Sequence, residues 1–307
     1  MNNSRKKTTL IVGTGVLLIV IFLAMVLMFF IFSSFSNVLV GQCVAVVDIN
    51  NELTIEGVPP SLFDPGLPSS EEIAYAIKDL DSREDVGAVV LVMNSPGGSV
   101  VATREIYDSV NGLDKPSVAY FREVAASGAY YVATGTDYIV SDPDALTGSI
   151  GVVATMAQMS GLLEKIGVNV TTVKSGEYKD IGSPFRNASE REIAIMQGVV
   201  DEIYQEFRSV ILVNRKGRLD LEKFDEVSDG RILTGRQAKK VGLVDELGNK
   251  EDAILKAAQL AGIPAESIDD VRVCYVSTMS TEGGLFSAQG ILRSIEAGSQ
   301  VPSVSYK

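Results

Sequence analysis

The chain has 307 residues, 46% of them hydrophobic and 21% charged, enough for one or two domains with a large core. Its 27 basic and 39 acidic side chains leave a net charge of −12, which repels phosphate and argues against a nucleic-acid surface. There is no histidine, so Ser-His-Asp hydrolases, Cys-His proteases and His-ligated metal sites are excluded whatever the fold.

Thr9 to Phe32 is a run of 24 residues without charge or proline, which as a helix spans a hydrocarbon core of about 30 Å. Arg5, Lys6 and Lys7 precede it, and the first acidic residue is Asp48. The positive-inside rule then keeps the N-terminus cytoplasmic and places the remainder outside a cell membrane. A cleaved secretory signal is the alternative, but the run is long and ends in the bulky Phe29-Phe30-Ile31-Phe32. The expected layout is a cytoplasmic tail and single-pass anchor over 1–33, a linker over 34–42, an extracytoplasmic domain over 43–276, and a mobile tail over 277–307.

Within the domain, strands and helices alternate. Cys43–Ile49 and Val86–Asn94 are β-branched apolar runs, as expected of strands buried on both faces. Between them, Ser69 and Glu72 fit a capping box for a helix striped with Ile73, Ile77 and Leu80. Ser95-Pro96-Gly97-Gly98 breaks the second strand, and a helix over Val100–Val110 follows. Pro116–Phe121, Tyr138–Ser141, Val168–Val173 and Val271–Val276 read as further strands. Helices are predicted over Ser127–Thr134, from the Ser189/Glu192 capping box to about Lys216 with Gly217 as the stop, and over Lys250–Ala261. The alternation predicts an α/β fold with a mainly parallel sheet. Cys43 and Cys274 are too few for a zinc cluster or a disulfide framework, and either pair or serve as small buried apolar groups.

Without histidine, a nucleophile needs another base, and a lysine made neutral by burial is the obvious one. Ser127 in Val124-Ala125-Ala126-Ser127-Gly128-Ala129-Tyr130-Tyr131 sits among small residues at a helix start, where backbone N–H groups favour developing negative charge. An ordinary N-cap is the bland reading of such a serine. The two glycines of the Ser-Pro-Gly-Gly turn leave N–H groups reachable, as an oxyanion hole requires, although a plain strand-to-helix turn looks the same in sequence. Lys174 and Lys179 stand between a strand and a capped helix, and position alone does not separate them.

Taken together, SPGG, AASGAYY, TGSIG, VKSGEYKDIGSPFR and DGRILTGRQAKKVGLVDELG resemble the signal peptide peptidase A family, over roughly Val44 to Ala261. The resemblance implies a crotonase/Clp-protease-like fold and a membrane-anchored Ser/Lys-dyad serine protease that degrades remnant signal peptides. It implies Ser127 as nucleophile, Lys179 as general base, Ser149 as the residue that orients the lysine amine, and Gly97 and Gly98 as the oxyanion turn, the second glycine being the preferred donor. It also implies a homo-oligomeric ring or dome in which the lysine completes a neighbour's site, with no metal and no nucleotide. Ala125, Ala126, Ala129 and Val152 are the residues expected to border a groove for apolar peptides. Two competing readings are a crotonase-type acyl-CoA enzyme, which uses Glu or Asp as acid and base, and an inactive membrane scaffold.

Overall fold

A computed structural model of the protein describes residues 21–28, 41–59, 61 and 66–278. Most of the expected anchor and the expected tail beyond 278 lie outside these residues; 21–28 are helical and exposed. Among the described residues no helix is long and apolar enough to cross a membrane.

The domain is built on one eight-stranded sheet. Its strands are β1 (Cys43–Asn50), β2 (Val86–Ser95), β3 (Ser117–Ala126), β4 (Tyr138–Ser141), β5 (Leu146–Gly148), β6 (Ile232–Thr234), β7 (Glu246–Leu247) and β8 (Val273–Val276). The main order is β6-β5-β3-β2-β1-β8, with β4 and β7 branching from β3. Every pairing is parallel except β5 with β6.

The two-residue period of the strands sorts side chains into two cores. Ala45, Val47, Ile49, Val89, Leu91 and Met93 face helices α1 (Ser70–Ser82), α2 (Val100–Asn111) and α3 (Gly128–Ala133). Val44, Val46, Ala88, Val90 and Val92 face α8 (Lys250–Leu260) through Ala253, Ile254, Ala257 and Ala258. With both faces covered, β1 and β2 read as continuous apolar runs, which is why they are legible in sequence. Helix α1 begins at the Ser69/Glu72 capping box and buries Ile73, Ile77 and Leu80. A cap of this kind contributes about 1 kcal/mol, so the sequence signal and the energy agree.

Four further helices lie among the described residues: α4 (Ser160–Lys165), α5 (Glu190–Asn214), α6 (Leu221–Val227) and α7 (Gly235–Val241). Helix α5 starts at the expected Ser189/Glu192 box, and Gly217, at φ +80°, lies three residues past its end. Val168–Val173 is not a strand; these residues are exposed, and no described strand lies beside them to take their backbone groups. Cys43 and Cys274 are joined as a disulfide that ties β1 to the edge strand β8.

Candidate active site

The site lies past the carboxyl ends of β2 and β3, the end at which parallel sheets place their ligands. β3 makes this possible by splitting. Val118–Phe121 pairs with β4, while Val124–Ala126 turns away to pair with β5. The register Ser95 with Ala125 then sets the Ser-Pro-Gly-Gly turn beside the turn that carries Ser127.

Ser127 is not an ordinary helix cap. Its φ is +52° and its ψ is −123°, and its side chain makes no capping hydrogen bond to α3. A positive φ is costly for a residue with a β-carbon, of the order of 1–3 kcal/mol, and persists only where surrounding contacts impose it. Here they do: the Ser127 N–H donates to the Gly148 carbonyl at 2.9 Å, and its carbonyl accepts from the Tyr131 N–H at 3.0 Å. The hydroxyl is thus held at a sharp strand-to-helix corner with no structural partner.

The opposing turn is shaped by close backbone approach. Gly97 has φ +101°, and a β-carbon there would lie 2.6 Å from the Gly128 nitrogen. A β-carbon on Gly98 would lie 1.9 Å from the Leu53 carbonyl oxygen, so only glycine fits. The Gly97 N–H is engaged, donating to Ser95 Oγ at 3.1 Å. The Gly98 N–H donates to no described residue, and the Gly128 N–H, first in α3, has no intrahelical acceptor. Gly98 and Gly128 therefore form the pair of free donors, and Gly128 is a residue that the sequence reading missed. Its signal was its place directly after Ser127 at the helix start.

Ser149, at φ +50°, follows Gly148, the acceptor of the Ser127 N–H, and its own N–H donates to the Arg231 carbonyl at 2.8 Å. Strand pairing thus sets Ser149 next to the Ser127 corner. Beside the corner is a cavity of about 140 Å³ with Tyr131, Val152, Ile203 and Phe207 in its lining. Val152 is thus in its lining. Ala125, Ala126 and Ala129 are not; all three are buried, Ala125 and Ala129 within the core.

Lys179 lies apart from this cleft, in a succession of turns over 175–182, and is exposed. It makes no hydrogen bond or ion pair through its side chain to another described residue. Lys174 differs: its Nζ donates to Asp180 Oδ1 at 2.6 Å and to the Glu177 carbonyl at 2.7 Å. Arg186 grips the same Asp180 through both carboxylate oxygens, at 2.7 and 2.8 Å, and also binds the buried Glu192. The Arg186 guanidinium, helped by Lys174, holds the Asp180 carboxyl well below its ordinary range. Arg186 likewise depresses Glu192 to about 2, with the Ser189 cap adding to the effect. The network pins both flanks of Lys179 and leaves its amine uncommitted.

A hydroxyl at a strained corner, facing two free N–H donors at a helix start, defines a nucleophile-and-oxyanion arrangement suited to acyl transfer. The Clp protease family model matches residues 68–140, which contain both turns. The model of peptidase family S49 matches residues 111–264, half of the chain. The chain is 38% identical to a putative protease of Methanocaldococcus jannaschii over 226 residues, 73% of this chain and 72% of that protein. It is 37% identical to a putative signal peptide peptidase SppA of Enterococcus faecium over 211 residues, 66% of this chain and 61% of that protein. With Protease 4 of Salmonella typhi it shares 35% identity over 208 residues, 67% of this chain but 33% of that protein. The chain belongs to peptidase family S49 and is a serine protease.

Proposed function

We propose that the protein is a membrane-anchored endopeptidase that degrades remnant signal peptides through a Ser127/Lys179 dyad. Neutral Lys179 takes the Ser127 proton as Oγ attacks a peptide carbonyl. The Gly98 and Gly128 N–H groups hold the oxyanion. The lysine then protonates the leaving amine, and water hydrolyses the acyl-enzyme. Ser149 orients the amine. The observation that carries this reading is the Ser127 corner, strained and free of any capping bond between two free backbone donors. The free amine of Lys179, against the committed amine of Lys174, favours Lys179 as the base.

The exposed position of Lys179 fits a site shared between subunits, the lysine of one protomer completing the Ser127 site of the next. Apolar side chains are exposed on the same segment and on the start of α5: Val153 is 86% exposed, Val173 95%, Leu162 and Ile166 are exposed with them, and so are Ile193 and Val199 on α5. Such apolar exposure is unusual on a free surface and suits burial against another copy in a closed head-to-tail ring. Burial there removes water from the amine and favours its uncharged form. The anchor reading rests on the uncharged run Thr9 to Phe32 and places the domain outside the cell membrane, where the Cys43–Cys274 disulfide is at home.

The test is complementation. Ser127→Ala and Lys179→Ala proteins, each inactive, are mixed under conditions of proven subunit exchange. Recovered peptidase activity at a fraction set by the mixing ratio is the expected result. No recovery would place both residues in one protomer and overturn the shared site.

A further inference from the structure

Two buried side-chain polar atoms have no hydrogen-bond partner among the described residues, Thr103 Oγ1 and Tyr178 Oη, and only Thr103 belongs to the Ser127 cleft. Thr103 is 5% exposed and sits one turn into α2. A threonine inside a helix commonly turns its hydroxyl back to the carbonyl four residues earlier. Here the Ser99 carbonyl accepts from the Thr103 N–H at 3.0 Å, and the hydroxyl makes no such bond. Instead Oγ1 lies 2.3 Å from the point where a β-carbon on Gly128 would stand, and the Gly98 nitrogen is 3.3 Å from that same point. The hydroxyl is therefore packed against Gly128, the residue that follows Ser127.

Among the other polar side chains of this cavity, Arg104 and Glu206 bind each other at 2.6 Å, and Ser127 is the attacking group of the proposed function. Apart from the Tyr131 hydroxyl, the rest of the side-chain wall is apolar, with Val100, Val152, Ile203 and Phe207 in it. At about 140 Å³ the cavity takes one medium side chain, since a cavity of about 150 Å³ holds a benzene ring. A buried hydroxyl without a partner is destabilising, and a valine in its place would fill the same space at no such cost. Its presence is explained if a partner arrives with the substrate.

We infer that Thr103 is a specificity-determining residue: its hydroxyl pairs with a small hydrogen-bonding side chain, such as that of threonine or serine, on the residue whose carbonyl Ser127 attacks. This rests on Ser127 as nucleophile. Peptides with a hydroxyl at that position give Thr103 Oγ1 a partner, whereas their apolar isosteres strand it.

The experiment uses the full chain in detergent and two peptides identical except for Thr or Val at the residue preceding the scissile bond. Wild type is expected to prefer Thr in kcat/KM by on the order of tenfold, the worth of one hydrogen bond. Thr103→Val should bring the ratio to about one or below, and Thr103→Ser should preserve it. If Thr103→Val folds poorly by thermal melting, Thr103→Ala carries the same expectation. A ratio unchanged by these variants overturns the inference, whether both rates fall together or neither moves. Fluorophosphonate labelling mapped on wild type separates the underlying reading: modification at a residue other than Ser127 removes both, while modification at Ser127 with an unchanged ratio removes only the role of Thr103.

Discussion

The corner that carries Ser127 and the segment that carries Lys179 are built on opposite principles. At the corner, strand register, two backbone hydrogen bonds and glycines that admit no β-carbon fix each atom before any ligand arrives. The Lys179 segment, over 151–189, has little of this: it contains no strand, one short helix and many exposed apolar side chains, held locally by the Lys174–Asp180–Arg186–Glu192 network. The corner is preorganised by the sheet, where most of the cost of positioning is met during folding. The Lys179 segment is ordered within itself but unburied, which suits the shared site proposed above.

The contrast can be broken most severely at the corner. Ser127→Ala should reduce peptidase activity by at least about 10³-fold, with an unchanged melting curve, because its hydroxyl makes no structural bond. Near-wild-type cleavage by the purified variant would remove Ser127 from the chemistry. In the segment, Lys179→Arg should be almost as damaging as Lys179→Ala. Arginine stays protonated at any working pH and cannot serve as a base. An active arginine variant would show that position and charge, not proton transfer, are what Lys179 supplies.

A smaller effect should follow from loosening the segment without touching the amine. Arg186→Ala is expected to lower kcat by roughly 10–100-fold with little change in KM, since it displaces the base and not the substrate, and to lower the melting temperature, since it leaves the buried Glu192 carboxylate without its partner. Arg186→Lys should rescue part of the loss. The same network predicts an acid sensitivity. Glu192 is lowered from 4.5 to about 2, so its stabilising contribution is complete above the unfolded value and is lost as pH falls through the folded one. Local opening of 180–192, followed by hydrogen exchange, should rise between about pH 4.5 and 2 in wild type and be flat in Glu192→Gln. The smallest effect on turnover belongs to the disulfide. Replacing Cys43 and Cys274 by serine should cost about 2–5 kcal/mol of stability and leave activity at low temperature intact, because the bridge lies across β1 and β8, away from the cleft. Lost activity in a folded double variant would tie that edge to the site.

The sequence is most legible where one local rule decides the outcome. The capping boxes at Ser69 and Ser189 stand where their spacing puts them, and the apolar runs of β1 and β2 are strands because both faces are covered. Val168–Val173 has the same β-branched composition and is no strand, since composition cannot supply a neighbour to pair with. The three-residue strands β5 and β6 and the two-residue β7 are too short to carry a period, and only tertiary pairing reveals them. At the site, Ser127 and Gly98 were visible as residue types in suggestive company. That the Gly97 N–H is taken by Ser95, that Gly128 is free, and that Lys174 is committed to Asp180 are facts of hydrogen bonding between turns, which spacing does not encode.

The parallel run of the strands also sets a distance. The chain comes into the sheet at Cys43, and β1 carries it eight residues toward the end where Ser127 stands. At about 3.3 Å per residue, that is roughly 26 Å of travel from the point of arrival to the level of the cleft. Whatever segment precedes Cys43 is therefore tethered at the far pole of the domain, and the cleft opens at the other. Under the proposed anchoring at that pole, a peptide must be lifted by about that height to be cut, so a substrate that begins in a bilayer has to leave it, in whole or as an extended strand, before Ser127 can reach its backbone.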